Sequence, residues 1–240
     1  MLVEVCANSL QSALNAENAG ASRIELCSEL AVGGVTPSYG LLKSVKKKIS
    51  IPVHVLIRPR SGDFTYSDAD FQIMQQDIEL CSALGFEGVV SGILKDDFTI
   101  DMERTKALIE SAKGMKFTFH RAFDWIKNPI EGALQLEGMG VNYILTSGQQ
   151  KSAALGIDLL NELHRMTSSC EIMPGGGVRM DNIHVFGEVG FTVVHLSGTK
   201  FVKTLSERPR VEMNSTSFLR EDAIAFSDVE AIREIVNAVK

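Results

Sequence analysis

The chain has 240 residues, 45% hydrophobic and 22% charged, the proportions of a globular protein able to bury one sizeable core. A net charge of -6, with lysine and arginine scattered except at positions 46–48, argues against nucleic acid as a partner. No stretch nears the roughly 18 apolar residues of a membrane span, and the first residues enter a strand at once without a leader pattern, so a cytoplasmic protein with no membrane partner is expected. The four cysteines, at 6, 27, 81 and 170, form no C-x-x-C pair and are too sparse for a disulfide framework. They are expected to be reduced.

Eight extended apolar runs follow along the chain, at residues 2–7, 23–28, 52–60, 88–94, 116–123, 143–148, 171–178 and 192–198. A helix-length segment separates each from the next. Ser9 and Ser67 read as helix N-caps, and Asn128 with Pro129 as an N-cap and first helical residue. Glycines at 20, 85, 114, 140 and 190 fall where helices must stop. An eightfold strand and helix alternation predicts an α/β fold, a single-domain (β/α)8 TIM barrel, over an open doubly wound sheet. The absence of G-x-G-x-x-G after the first strand points the same way. Residues 199–226 are polar and read as a long connection before the last helix, where Ser227 and Glu230 fit a capping box. That arm is open to three readings: a lid, an oligomer contact or a disordered loop.

Parity within each run predicts which side chains share the lumen. Glu4 and Cys6 share a face on strand one, and Glu25 and Cys27 on strand two. Strand three contributes His54, Leu56, Arg58 and Arg60, strand seven Met173 and Gly175, and strand eight His195 and Ser197. Two glutamates inside a barrel need partners, for which Arg58, His120 and His195 are the nearest candidates. Strand five ends in Phe117-Thr118-Phe119-His120-Arg121-Ala122-Phe123-Asp124, with the phenylalanines on one face and Thr118 and His120 on the other. His120, Arg121 and Asp124, gathered at a strand end, suit anion binding and proton transfer.

Chemistry in such barrels sits at the carboxyl ends of the strands. Arg58 and Arg60, with Gly175, Gly176 and Gly177 after strand seven and Ser197 after strand eight, make a candidate anion site. His120, paired with Asp124 or Glu25, is the candidate catalytic acid and base. No lysine lies on the lumen register late in a strand, apart from Lys95 and Lys200 just past strand ends, which disfavours a Schiff-base aldolase. Cys6 and Cys27 occupy matching offsets on neighbouring strands. Paired thiolates select Cu(I) or Zn(II), and a thioether from Met173 would favour the softer ion, while lone cysteines also serve as small hydrophobes. Cys81 and Cys170 read as structural.

Together Arg23-Ile24-Glu25-Leu26-Cys27, Gly33-Gly34-Val35-Thr36-Pro37-Ser38, Ile57-Arg58-Pro59-Arg60-Ser61-Gly62-Asp63-Phe64, Phe119-His120-Arg121-Ala122-Phe123-Asp124, Leu145-Thr146-Ser147-Gly148 and Met173-Pro174-Gly175-Gly176-Gly177 resemble the CutC family. The resemblance runs from Met1 to about Lys200. It implies a cytosolic TIM-barrel protein of copper homeostasis, a homodimer or larger, in which Cys6 and Cys27 match the Cu(I) ligands proposed for the family. The hard groups Arg58, Arg60, His120, Arg121 and Asp124 instead suit an anionic organic ligand. Two functions therefore stand: a copper-binding protein, or a barrel enzyme acting on a small anionic or phosphorylated metabolite.

Overall fold

A computed structural model describes residues 1–112, 114–207, 209–211 and 223–239. Eight parallel strands, β1 (Leu2–Ala7), β2 (Arg23–Leu26), β3 (Val53–Leu56), β4 (Gly88–Ser91), β5 (Lys116–Phe119), β6 (Tyr143–Thr146), β7 (Glu171–Pro174) and β8 (Val193–Leu196), form one sheet in the order β7-β6-β5-β4-β3-β2-β1-β8. A parallel bridge between Gly175 and His195 joins the two ends. The result is the expected barrel.

Helices α1 (Leu10–Asn18), α2 (Tyr39–Lys48), α3 (Asp68–Leu84), α4 (Met102–Ser111), α5 (Pro129–Gly138), α6 (Ile157–Met166), α7 (Ile183–Val189) and α8 (Val229–Val239) lie between and after the strands. Among the described residues none is long and apolar enough to cross a membrane. Ser9 accepts the Ser12 N–H at the start of α1, and Ser67 forms a reciprocal capping box with Asp70 at the start of α3. Gly85 ends α3 with φ 76°, a left-handed conformation that a side chain would strain.

Two terminal signals resolve differently. Asn128 precedes α5 as expected, but its side chain makes no cap bond and turns to Glu131. Ser227 is the last residue of a strand, and Asp228 Oδ1 accepts the Glu230 N–H at the head of α8. The reason is a pairing between distant segments: β9 (Thr199–Lys203) and β10 (Ala223–Ser227) form an antiparallel ribbon. The expected connection at 199–226 is thus a ribbon at its root, while 208 and 212–222 lie outside the described residues.

Strand parity sorts the core. Val5, Ile24, Val55, Val89, Phe117, Phe119, Ile144 and Val194 face outward and pack beneath the helices with Leu42, Met74, Ile78, Leu108 and Phe186. Phe117 and Phe119 are 1% and 0% exposed, and burial of each contributes about 1.5–3 kcal/mol. Lumen-facing residues form two smaller apolar groups, Cys6, Cys27, Leu56 and Val90 in one, Leu145, Met173 and Val193 in the other. Polar side chains hold the space that remains.

Candidate functional site

Register dictates the first polar group. Glu4 stands opposite Arg23 on β2 and His195 on β8. Its carboxylate is fully buried, ion-paired with Arg23, and 2.9 Å from His195 Nδ1. Burial alone would push this carboxyl up, yet Arg23, His195 and His54 outweigh it and hold it at about 2. His54 Nδ1 lies 3.9 Å from the same carboxylate, and burial with the Arg23 charge brings this imidazole down to about 4. Arg58 and His120, the other expected partners of the glutamates, bond elsewhere. Arg23 was missed because it opens its strand, although it shares parity with Glu25 and Cys27.

Nearer the carboxyl ends, Cys6 stands opposite Glu25. The Sγ atoms of Cys6 and Cys27 are 3.4 Å apart and both are buried. The bond to Cys27, then burial, raise the Cys6 thiol well above its ordinary value. His195 Nε2 lies 3.3 Å from Glu25 Oε2, so the imidazole bridges two carboxylates. Burial opposes its proton, but Glu25, Cys6 and Glu4 prevail and raise His195 well above 6.5. Burial raises Glu25, with His195 pulling the other way and Glu4 adding to the rise. Ligand atoms of Cys6, Glu25 and His195 all fall within 4.8 Å of one another. That is close to the span of two metal bonds of about 2.0–2.3 Å. Met173 is not with them, because its sulfur faces the Arg23 guanidinium at 3.5 Å.

This group opens into a cavity of about 1150 Å³ bordered by Cys6, Glu25, Arg58, Phe64, His120, Arg121, Gly176, Gly177, His195 and Ser197. Cys27 lies just behind Cys6. His120 is 5% exposed, and its Nδ1 accepts the Ala122 N–H at 3.2 Å. Burial and Arg58 bring it down to about 3, so the ring is neutral. Arg58 is equally buried and donates to the carbonyls of Val32, Gly34 and Gly62 at 2.7–2.8 Å.

Three expected members stand apart. The Arg60 guanidinium pairs with Asp63 at 3.1 Å and Asp70 at 3.4 Å, stacks on Tyr66, and does not border the cavity. Asp124 accepts from Thr146 Oγ1, Arg121 Nε and the N–H groups of Ser147 and Gln149. Gly175 is taken up in closing the barrel, where a Cβ would meet Leu145 at 2.4 Å.

An eight-stranded parallel barrel closed by one bridge, with a thiol, imidazole and carboxylate group under its carboxyl-end mouth, defines the class as a single-domain TIM-barrel protein. The CutC family model matches residues 1–200. The family protein CutC of Photorhabdus laumondii is 47% identical over 200 residues, covering 83% of this chain and 81% of the relative. That of Proteus mirabilis is 44% identical over 240 residues, covering 99% and 94%. The crystal structure of CutC from Streptococcus agalactiae, a candidate copper homeostasis protein, superposes with a TM-score of 0.77 at 35% identity, covering 81% of this chain and 97% of that one. The chain belongs to the CutC family.

Proposed function

We propose that this protein serves copper homeostasis by binding Cu(I) in the barrel, with Cys6 and Cys27 as principal ligands and His195 and Glu25 beside them. The observation that carries this reading is the 3.4 Å approach of two buried thiols next to an imidazole. Paired sulfur atoms are soft donors, which suits a soft monovalent cation, and the His195 imidazolium beside them offsets negative charge at the site. Each thiol must lose its proton to the incoming ion, and the raised Cys6 makes uptake more favourable as pH rises. His195 and Arg23 already neutralise Glu25 and Glu4, so Cu(I) offsets one of the two new thiolates and the site gains one net negative charge as two protons leave. In this reading the protein works in the cytoplasm, where thiols stay reduced, as a homo-oligomer.

The test is a titration of the fully reduced protein with Cu(I) against a competing chelator, repeated with Zn(II). Cu(I) should bind with one-to-one stoichiometry and its affinity should fall by at least about 100-fold in a Cys6→Ser, Cys27→Ser double variant. Unchanged affinity in that variant removes the proposal. Preference for Zn(II) would reassign the ion.

A further inference from the structure

The Arg58 guanidinium is a buried cation without a buried anion. It is 5% exposed, its carbon lies 5.1 Å from the Phe64 ring, and its bonds go to three backbone carbonyls. Carbonyls take three N–H bonds from Nη1 and Nη2, while Nε is buried without a partner among the described residues and the unit charge stays uncompensated. Among the described residues no carboxylate pairs with it. A charge held out of water in that way is costly unless something of opposite sign joins it.

A second orphan borders the same cavity. Because His120 Nδ1 accepts a hydrogen bond, the proton of the neutral ring is on Nε2. Nε2 is buried and has no partner among the described residues. Phe64 covers both groups, its ring 4.8 Å from that of His120. Arg121 comes to the same place over Gly176, where a Cβ would stand 3.3 Å from the guanidinium carbon.

Charge counting decides the class of ligand. Glu4 and Glu25 are matched by Arg23 and His195, and Arg121 is matched by Asp124 at 2.8 Å. His120 is neutral. The remaining charged groups on the wall, Glu29, Arg179 and Glu234, are exposed at the rim and screened by water, and Asp228 pairs with Lys200. One positive charge is left over.

We propose that the mouth of the barrel binds a small organic monocarboxylate, its carboxylate at Arg58 and His120 Nε2–H beneath Phe64 and its apolar part toward Leu30, Leu56 and Leu145. The site adjoins the thiol pair: Gly34, whose carbonyl accepts from Arg58, leaves only 3.4 Å between an added Cβ and Cys27 Cβ. It does not depend on copper.

The test is thermal unfolding of the reduced, metal-free protein with sodium propionate, inorganic phosphate or sulfate at equal ionic strength. Propionate should raise the Tm by about 3–6 °C at about ten times its Kd, while phosphate and sulfate do less. The Cys6→Ser, Cys27→Ser variant should keep this shift, which separates it from the copper reading. Arg58→Met should lose it and Arg60→Met should keep it. Should Arg58→Met fold poorly, the 15N signal of His120 Nε2 in the parent protein gives the same answer, moving with propionate if the site is real. A parent protein unmoved by propionate in both measurements, a shift retained in Arg58→Met, or stronger stabilisation by phosphate or sulfate would each overturn the proposal.

Discussion

His195 Nδ1 lies 2.9 Å from Glu4 Oε1, a contact across the β8–β1 seam of a barrel whose interior also buries Arg23 against the same carboxylate. Removing one member of such a group strands the others without water. Arg23→Met is therefore expected to cost about 3–5 kcal/mol in urea unfolding. Adding Glu4→Leu should recover a large part of that loss, because the pair is then replaced by packed carbon. A loss under about 1 kcal/mol in the single variant would mean the carboxylate is neutralised in some other way.

Stability should fall on the acid side of neutrality. His54 and His120 are neutral in the fold, with values near 4 and 3 against 6.5 when unfolded, so the unfolded chain takes up their protons first as pH drops. Each contributes stability in full above about 6.5 and loses it as pH falls through its folded value. Between pH 7 and 5 this amounts to about 2 kcal/mol per imidazole. Glu4, near 2 in the fold, adds a further loss below about 4.5. His195, raised instead, loses its contribution as pH climbs above 6.5. Urea midpoints from pH 7.5 to 4.5 should show the acid slope, and His54→Gln should flatten it by about half.

The alternation that made the barrel and its lumen legible is a property of strands, and it stops where they stop. Thr118 and His120 face inward and Phe117 and Phe119 outward, as their two-residue spacing requires. Arg58 and Arg60 share that spacing too, but β3 ends at Leu56, and in the loop beyond it one guanidinium turns inward and the other to Asp63 and Asp70. Asp124 was equally beyond reach, since besides the nearby Arg121 its partners come from the end of β6 and the loop after it. Arg23 could have been read from parity with Glu25. The Asp228 cap depended on a ribbon between segments far apart in sequence, which no local pattern encodes.

Gly88 on β4 faces the ring of His54, and a Cβ built there would stand 2.4–2.6 Å from three ring atoms. His54 cannot retreat freely, being 2% exposed. Gly88→Ala should cost about 1–3 kcal/mol through this overpacking. Combining it with His54→Ala should cost less than the two separate losses added, a coupling that urea unfolding of the four proteins would measure.

Asp124 tests whether a sequence-predicted acid works as a base or as a fastener. Its side chain is 8% exposed, and it receives Thr146 Oγ1 at 2.5 Å, Arg121 Nε at 2.8 Å, Ser147 N–H at 3.0 Å and Gln149 N–H at 3.2 Å. A carboxylate so fully engaged has little capacity left for a substrate proton, and it fixes the loop where Gln149 adopts a positive φ of 57°. Asp124→Ala leaves these donors without their acceptor and should cost about 2–4 kcal/mol. Amide exchange at Ser147 and Gln149 should speed up more than exchange in the central strands. Arg121, freed of its partner, should then strengthen propionate binding at the mouth. A variant as stable as the parent, with those two amides still protected, would return Asp124 to the catalytic candidates.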